Sequence, residues 1–181
     1  MRSFDKAGPE NTDECVRLAY ERAKALGLKE VIVATNRGDT VRKVLDVFEG
    51  FTVIAVNHRA GFREPWKVEL PDDARKELED RGAKVVIATH AFSGIELAFK
   101  NEYQGMYPGP LAADVLRMFG QGTKVCVEIA LMAADAGVLS GDTVMTIGGT
   151  GTGADTAIVL TPVHQKDFLD MRIHEIVCKP K

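Results

Sequence analysis

The chain is 181 residues long, 45% hydrophobic and 27% charged, which excludes the disordered, collagen-like and coiled-coil classes. Its 23 basic and 26 acidic residues leave a net charge of -3 and form no cluster able to neutralise a phosphate backbone, so nucleic acid is not expected as its partner. Cys15, Cys126 and Cys178 make neither a CxxC motif nor a disulfide framework, and a reducing cytoplasm is the compartment expected.

Met1 to Glu10 carries charge and Gly-Pro instead of an apolar core with a cleavage site, and no apolar run approaches the ~18 residues of a membrane span. A single soluble domain over 1–181, with no membrane partner, is therefore expected. After this arm, Asn11 and Thr12 with Glu14 offer capping chemistry, and Cys15, Val16, Ala19, Ala23 and Leu26 recur at helical spacing until Gly27. Glu30 to Thr35 is a β-branched apolar run, as expected for a strand buried on both faces. A second helix follows, with Val41, Val44, Leu45 and Phe48 on one stripe. The unit then repeats: strand over Phe51 to His58, charged helix over Pro71 to Arg81, strand over Ala83 to His90. Strands alternating with helices imply parallel pairing and right-handed crossovers.

Helices are expected over Ser93 to Lys100 and Leu111 to Phe119, separated by the loop Asn101 to Pro110. Tyr103, Met106 and Tyr107 in that loop are suited either to covering a flat ring or to ordinary surface packing. Lys124 to Ala136 is nearly apolar all round and reads as a buried helix. Glu128 on it is expected to point out or pair locally, and Cys126 to serve packing. At the end, DTVMTIGG, DTAIVLTPV and RIHEIVCK read as strands. The five-residue loop TGTGA is too short for a parallel crossover, so an antiparallel hairpin is required and the sheet is mixed.

Two loops carry the functional signal. Thr146 to Thr156 contains Gly148, Gly149, Thr150, Gly151, Thr152, Gly153, Asp155 and Thr156, a run that exposes backbone N–H groups and hydroxyls as phosphate cradles do. A flexible hairpin turn is the plainer alternative. It is neither a P-loop nor a Rossmann fingerprint, since no Lys-Ser/Thr pair closes it and a strand follows it. Thr35, Asn36, Arg37, Gly38 and Thr40 lie between a strand and the first turn of a helix, where free N–H groups favour an anion. Ordinary capping by Asp39 or Thr40 would need no ligand. Thr89, His90, Phe92, Ser93 and Gly94 end the third strand and complete the candidate site. The four histidines show no HxH or HExxH spacing, and no metal site is expected.

EVIVATNRGDTVRKVLDVF, then FTVIAVNH, and later GVLSGDTVMTIGG resemble the C-terminal domain of pyruvate kinase, in which a hydroxyl-rich loop between strand and helix binds an effector's phosphate. Over its whole length the chain is similar to a stand-alone pyruvate kinase C-terminal domain-like family of archaea and bacteria, whose members are associated with flavin mononucleotide (FMN). The resemblance implies an α/β fold of three layers, α/β/α, around a mixed five-stranded sheet in order 3-2-1-4-5, the last strand antiparallel. It also implies a small phosphorylated ligand, FMN foremost, in a flavoprotein of unknown reaction, with homo-oligomers allowed. Pyruvate kinase activity is not expected, because that chemistry belongs to a separate barrel domain. Arg37 and Asp39 depart from the kinase loop, so the ligand is expected to differ from a sugar bisphosphate. A sugar-phosphate or nucleotide sensor is the alternative. The GGTGTGAD segment is also similar to molybdopterin-type biosynthetic enzymes, although no Arg-Asp pair or helix follows it. In the implied order the chain reverses between the strands ending at Thr35 and Gly148, and ligands of open sheets bind at such switch points.

Overall fold

The β-branched runs become strands and the 3.6-residue patterns become helices in the computed structural model, which describes residues 1–181. The strands are β1 (Arg2–Phe4), β2 (Glu30–Ala34), β3 (Thr52–Asn57), β4 (Lys84–Ile87), β5 (Val144–Gly148), β6 (Thr156–Thr161) and β7 (Arg172–Pro180). The helices are α1 (Thr12–Ala25), α2 (Asp39–Val47), α3 (Asp72–Asp80), α4 (Glu96–Tyr103), α5 (Pro108–Arg117) and α6 (Gln121–Asp135). None is long and apolar enough to cross a membrane.

All strands join one mixed sheet in the order β1-β7-β6-β5-β2-β3-β4. β2 pairs in parallel with both β3 and β5, and β3 with β4. β6 runs antiparallel to β5 and β7, while β1 is parallel to β7. The expected count of five strands is thus corrected to seven. β4-β3-β2-β5-β6 form a consecutive run, and β7 and β1 extend it. Three residues of β1 carry no period, and their register, Arg2 beside Cys178, joins opposite ends of the chain, which no local pattern encodes.

Alternate strand residues face opposite cores, as a sheet covered on both sides requires. Val31 and Val33 pack with Cys15, Val16, Val41, Val44 and Leu78 from α1, α2 and α3. Ile32 packs on the other face with Ala113 of α5 and the apolar side of α6. The result is three layers, with α6 the most deeply buried helix.

Three further expectations are adjusted. β4 stops at Ile87 instead of reaching His90, because its one partner, β3, ends at Asn57 opposite it. The loop read as Asn101 to Pro110 shrinks to residues 104–107, since α4 continues to Tyr103 and Pro108 opens α5, a position that suits proline's fixed φ and missing N–H. No side chain caps α1. The Thr12 hydroxyl instead donates to the Pro9 carbonyl at 2.6 Å and accepts from the Ala154 N–H at 3.0 Å, tying the helix start to the β5–β6 loop.

Gly122 in the first turn of α6 lets that helix lie directly on the β5–β6 hairpin. A methyl group there would collide with Thr156 Oγ1 and sit 2.8 Å from Asp155 Oδ1. Gly122→Ala is expected to destabilise the fold by about 1–3 kcal/mol in urea unfolding, as overpacking does. Unchanged stability would show that α6 can lift away from the hairpin.

Candidate functional site

β2, β3, β4 and β5 run in one direction, so their C-terminal ends and the loops that follow share one edge of the sheet. From β2 the chain proceeds outward through β3 to β4 and then returns to β5 on β2's other side, placing the switch point between Thr35 and Gly148.

The β2–α2 loop is folded by its own side chains. Thr35 Oγ1 accepts the Gly38 N–H at 2.9 Å, and Gly38 takes φ +98°, a left-handed turn natural for glycine. The first intrahelical bond of α2 is from Arg42 N–H to the Gly38 carbonyl. The N–H groups of Asp39, Thr40 and Val41 therefore have no acceptor within the protein. Asp39 does not cap the helix; its carboxylate pairs with Arg42 at 3.3 Å, and Arg42 is bound in turn by Glu77 at 2.8 Å. Arg37 is exposed and its guanidinium has no partner.

Across the switch point stands the β5–β6 loop. Thr150, Gly151 and Thr152 are exposed at its tip, and the N–H groups of Gly149, Thr150, Gly151 and Gly153 also lack an internal acceptor. Asn36 Nδ2 donates to the Gly151 carbonyl at 3.2 Å, joining the two loops. Asp155 and Thr156 lie beneath the loop with no exposed surface. The Asp155 carboxylate accepts the Gly8 N–H at 3.2 Å and the Thr156 hydroxyl at 2.7 Å, so both residues hold the loop from below.

The third segment sits further along the same edge. Asn57, buried at the end of β3, donates to the carbonyls of Thr35 and Asn36, each at 2.8 Å, while its Oδ1 has no partner. His58 Nδ1 and His90 Nε2 share a hydrogen bond of 2.9 Å, and Phe62 stacks on His58 with ring centroids 4.0 Å apart. Thr89 and Gly94 are exposed and Ser93 is half-buried. The Phe92 ring is buried against Phe168, and its N–H donates to Glu128 Oε1 at 3.3 Å. Glu128 does pair locally, with Lys124 one turn earlier, and both are buried.

Asn57, His58, Phe62, Glu69 and Lys124 escaped the sequence reading. The i,i+4 spacing of Lys124 and Glu128 on an apolar helix was the one available signal. His58 and Phe62 meet His90 only through the β3–β4 pairing. Two surface depressions of about 350 and 440 Å³ lie elsewhere, against Val85–Ala88 with Val138 and beside Arg22 with Glu175.

Burial lowers both histidines from their ordinary value, with repulsion from His90 the next cause at His58; at His90 the pull of Glu128 opposes the shift. Burial also lowers Lys124, against the attraction of Glu128. Burial pushes the Cys126 thiol up, which removes it as a nucleophile near neutral pH.

Residues 13–160 match the family model described as pyruvate kinase, alpha/beta domain. Among solved structures the chain is similar to a pyruvate kinase from Cryptosporidium parvum, at 17% identity and a TM-score of 0.40, covering 91% of this chain and 22% of that one. It is similar also to Cryptosporidium parvum pyruvate kinase in complex with ADP, at 18% identity and a TM-score of 0.40, covering 90% and 23% respectively. The chain thus spans under a quarter of the length of these kinases.

Glu128→Ala leaves Lys124 buried and unpaired and is expected to cost about 3–5 kcal/mol in denaturant unfolding, whereas Lys124→Met with Glu128→Leu should cost far less. Equal losses in both variants would show that packing, not charge, sets the cost. Because both histidines titrate lower in the folded state than the unfolded value of about 6.5, their contribution is intact above that pH and is lost as pH falls through the folded values. The melting temperature should therefore drop between pH 7.5 and 5, and the drop should shrink in a His58→Gln/His90→Gln variant.

Proposed function

This chain belongs to the pyruvate kinase alpha/beta domain family, and from that premise we propose that it binds a phosphorylated planar ligand, FMN foremost, at the switch point of its sheet. The observation that carries this reading is the set of unpaired backbone N–H groups on two facing loops, Asp39 to Val41 on one side and Gly149 to Gly151 with Gly153 on the other. Asn36 holds the two loops together through Gly151, so the donors are positioned before any ligand arrives. Such donors suit phosphate oxygens, and the start of α2 adds the favourable end of its dipole. Arg37, free of any internal carboxylate, supplies the charge. Asp39, the first residue of α2, turns its exposed carboxylate to Arg42 at 3.3 Å.

No phosphoryl-transfer chemistry is proposed for these residues. The planar part of the ligand extends toward β3 and β4, where Phe62 and the two histidines offer flat surfaces. FMN supplies redox chemistry when bound; the chain supplies donors, orientation and an aromatic floor.

Mass spectrometry and absorbance of the small molecule released on heat denaturation should identify FMN in purified protein. Added FMN should be quenched on titration, with Arg37→Ala weakening affinity about tenfold or more, as loss of a charge-assisted hydrogen bond does. Absence of binding would remove the FMN reading, and unchanged affinity in the variant would remove Arg37 from the site.

A further inference from the structure

The cluster formed by His58, His90, Phe62 and Glu69 is built more tightly than a ring-stacking surface requires. Glu69 Oε2 is buried with no hydrogen-bond partner, and the basic side-chain nitrogens facing it are His58 Nε2 and Arg63 Nε, each at 3.8 Å. A carboxylate at that distance opposes a lone pair on the facing nitrogen, so it selects the His58 tautomer with its proton on Nε2. His58 Nδ1 is then an acceptor, and the 2.9 Å bond between the rings requires His90 to donate through Nε2. That leaves His90 Nδ1 with the lone pair. This atom has no partner within the protein and is not among its buried polar atoms.

We propose that Glu69 and His58 fix the proton order of His90, Glu69 by its charge and His58 through the inter-ring hydrogen bond, so that the open end, His90 Nδ1, accepts a hydrogen bond or a proton from an N–H or O–H group of the ligand. The choice of ligand rests on the function proposed above; the order of protons on the two rings does not. His58 and Glu69 act as positioning residues, and Phe62, stacked on His58, holds that ring in plane. The connection to the switch point is direct, since Asn57, next to His58, is bonded to the carbonyls of Thr35 and Asn36. The atoms balance simply: a proton taken at Nδ1 leaves His90 cationic, and the short inter-ring bond places that charge beside a neutral imidazole. The other charged groups acting on the pair are Arg59, Arg63 and Glu69 on the β3–α3 loop and Lys124 and Glu128 on α6. Burial lowers both rings, joined at His58 by repulsion from His90 and at His90 by repulsion from Lys124 and Arg59, which favours the neutral state in which Nδ1 is a base.

The test is nitrogen-15 imidazole NMR on the full chain, with and without FMN. In the free protein at pH 7.5, both rings should carry their proton on Nε2. Glu69→Gln should release the tautomer preference of His58, and His90→Gln should move the His58 titration back toward its ordinary value. Added FMN should shift the His90 Nδ1 resonance, and His90→Gln should weaken FMN binding about 2- to 10-fold. A proton on His90 Nδ1 in the free protein, or tautomers indifferent to Glu69→Gln, would overturn the proposed proton order. FMN binding that leaves Nδ1 unmoved would overturn its ligand-facing role while sparing the FMN reading. If FMN does not bind, that reading fails by itself, and the free-protein tautomers decide the proton order.

Discussion

Parallel pairing of β2 on both its sides governs the rest of the molecule. A parallel neighbour can be reached only by a crossover, so α2 and α3 are laid on one face and α6 on the other, and four strand ends gather on one edge. The return from β4 to β5 makes a topological gap, the switch point, between the β2 and β5 loops. Asn36 spans this gap with one hydrogen bond, and free N–H groups line both sides of it.

Close approach of backbones keeps that edge in shape. α6 rests on the hairpin through Gly122, and a side chain at Gly149 would be driven to within 2.6 Å of the Gly153 carbonyl. Beneath the loop, Asp155 collects the Gly8 N–H and the Thr156 hydroxyl, while Thr12 collects the Ala154 N–H. The N-terminal segment is therefore part of the support of the β5–β6 loop. Its order is reinforced by β1, which pairs with β7 and brings the chain ends together.

Charge is divided along the edge. At the switch point the unpaired groups are donors and an unpartnered guanidinium, chemistry suited to an anion. Toward β4 the unpaired atoms are acceptors, Asn57 Oδ1 and Glu69 Oε2, around a pair of neutralised imidazoles. Both of these acceptor atoms are buried, so they belong to the support beneath this half of the edge and not to its surface. The buried Lys124–Glu128 pair stands behind the second half, holding the Phe92 N–H and contributing opposed fields at His90.

Element type was legible in the sequence wherever a side-chain period persisted over several residues, as in EVIVA or the apolar helix around Cys126. The two Gly- and Thr-bearing loops were legible too, because glycine clusters and strand-to-helix junctions are local chemistry. β1 was not, since three residues have no period, and neither was the meeting of His58, Phe62 and Glu69 with His90. By itself, then, the sequence determined the class of the fold, its alternating crossovers, its hairpin and the loops rich in backbone donors. Tertiary structure alone decided the seventh strand, the burial of Asp155 and Thr156 beneath their loop, and the assembly of the histidine pair. These depend on register between strands distant in the chain, and such register is set by the whole packed core and not by any one segment's pattern.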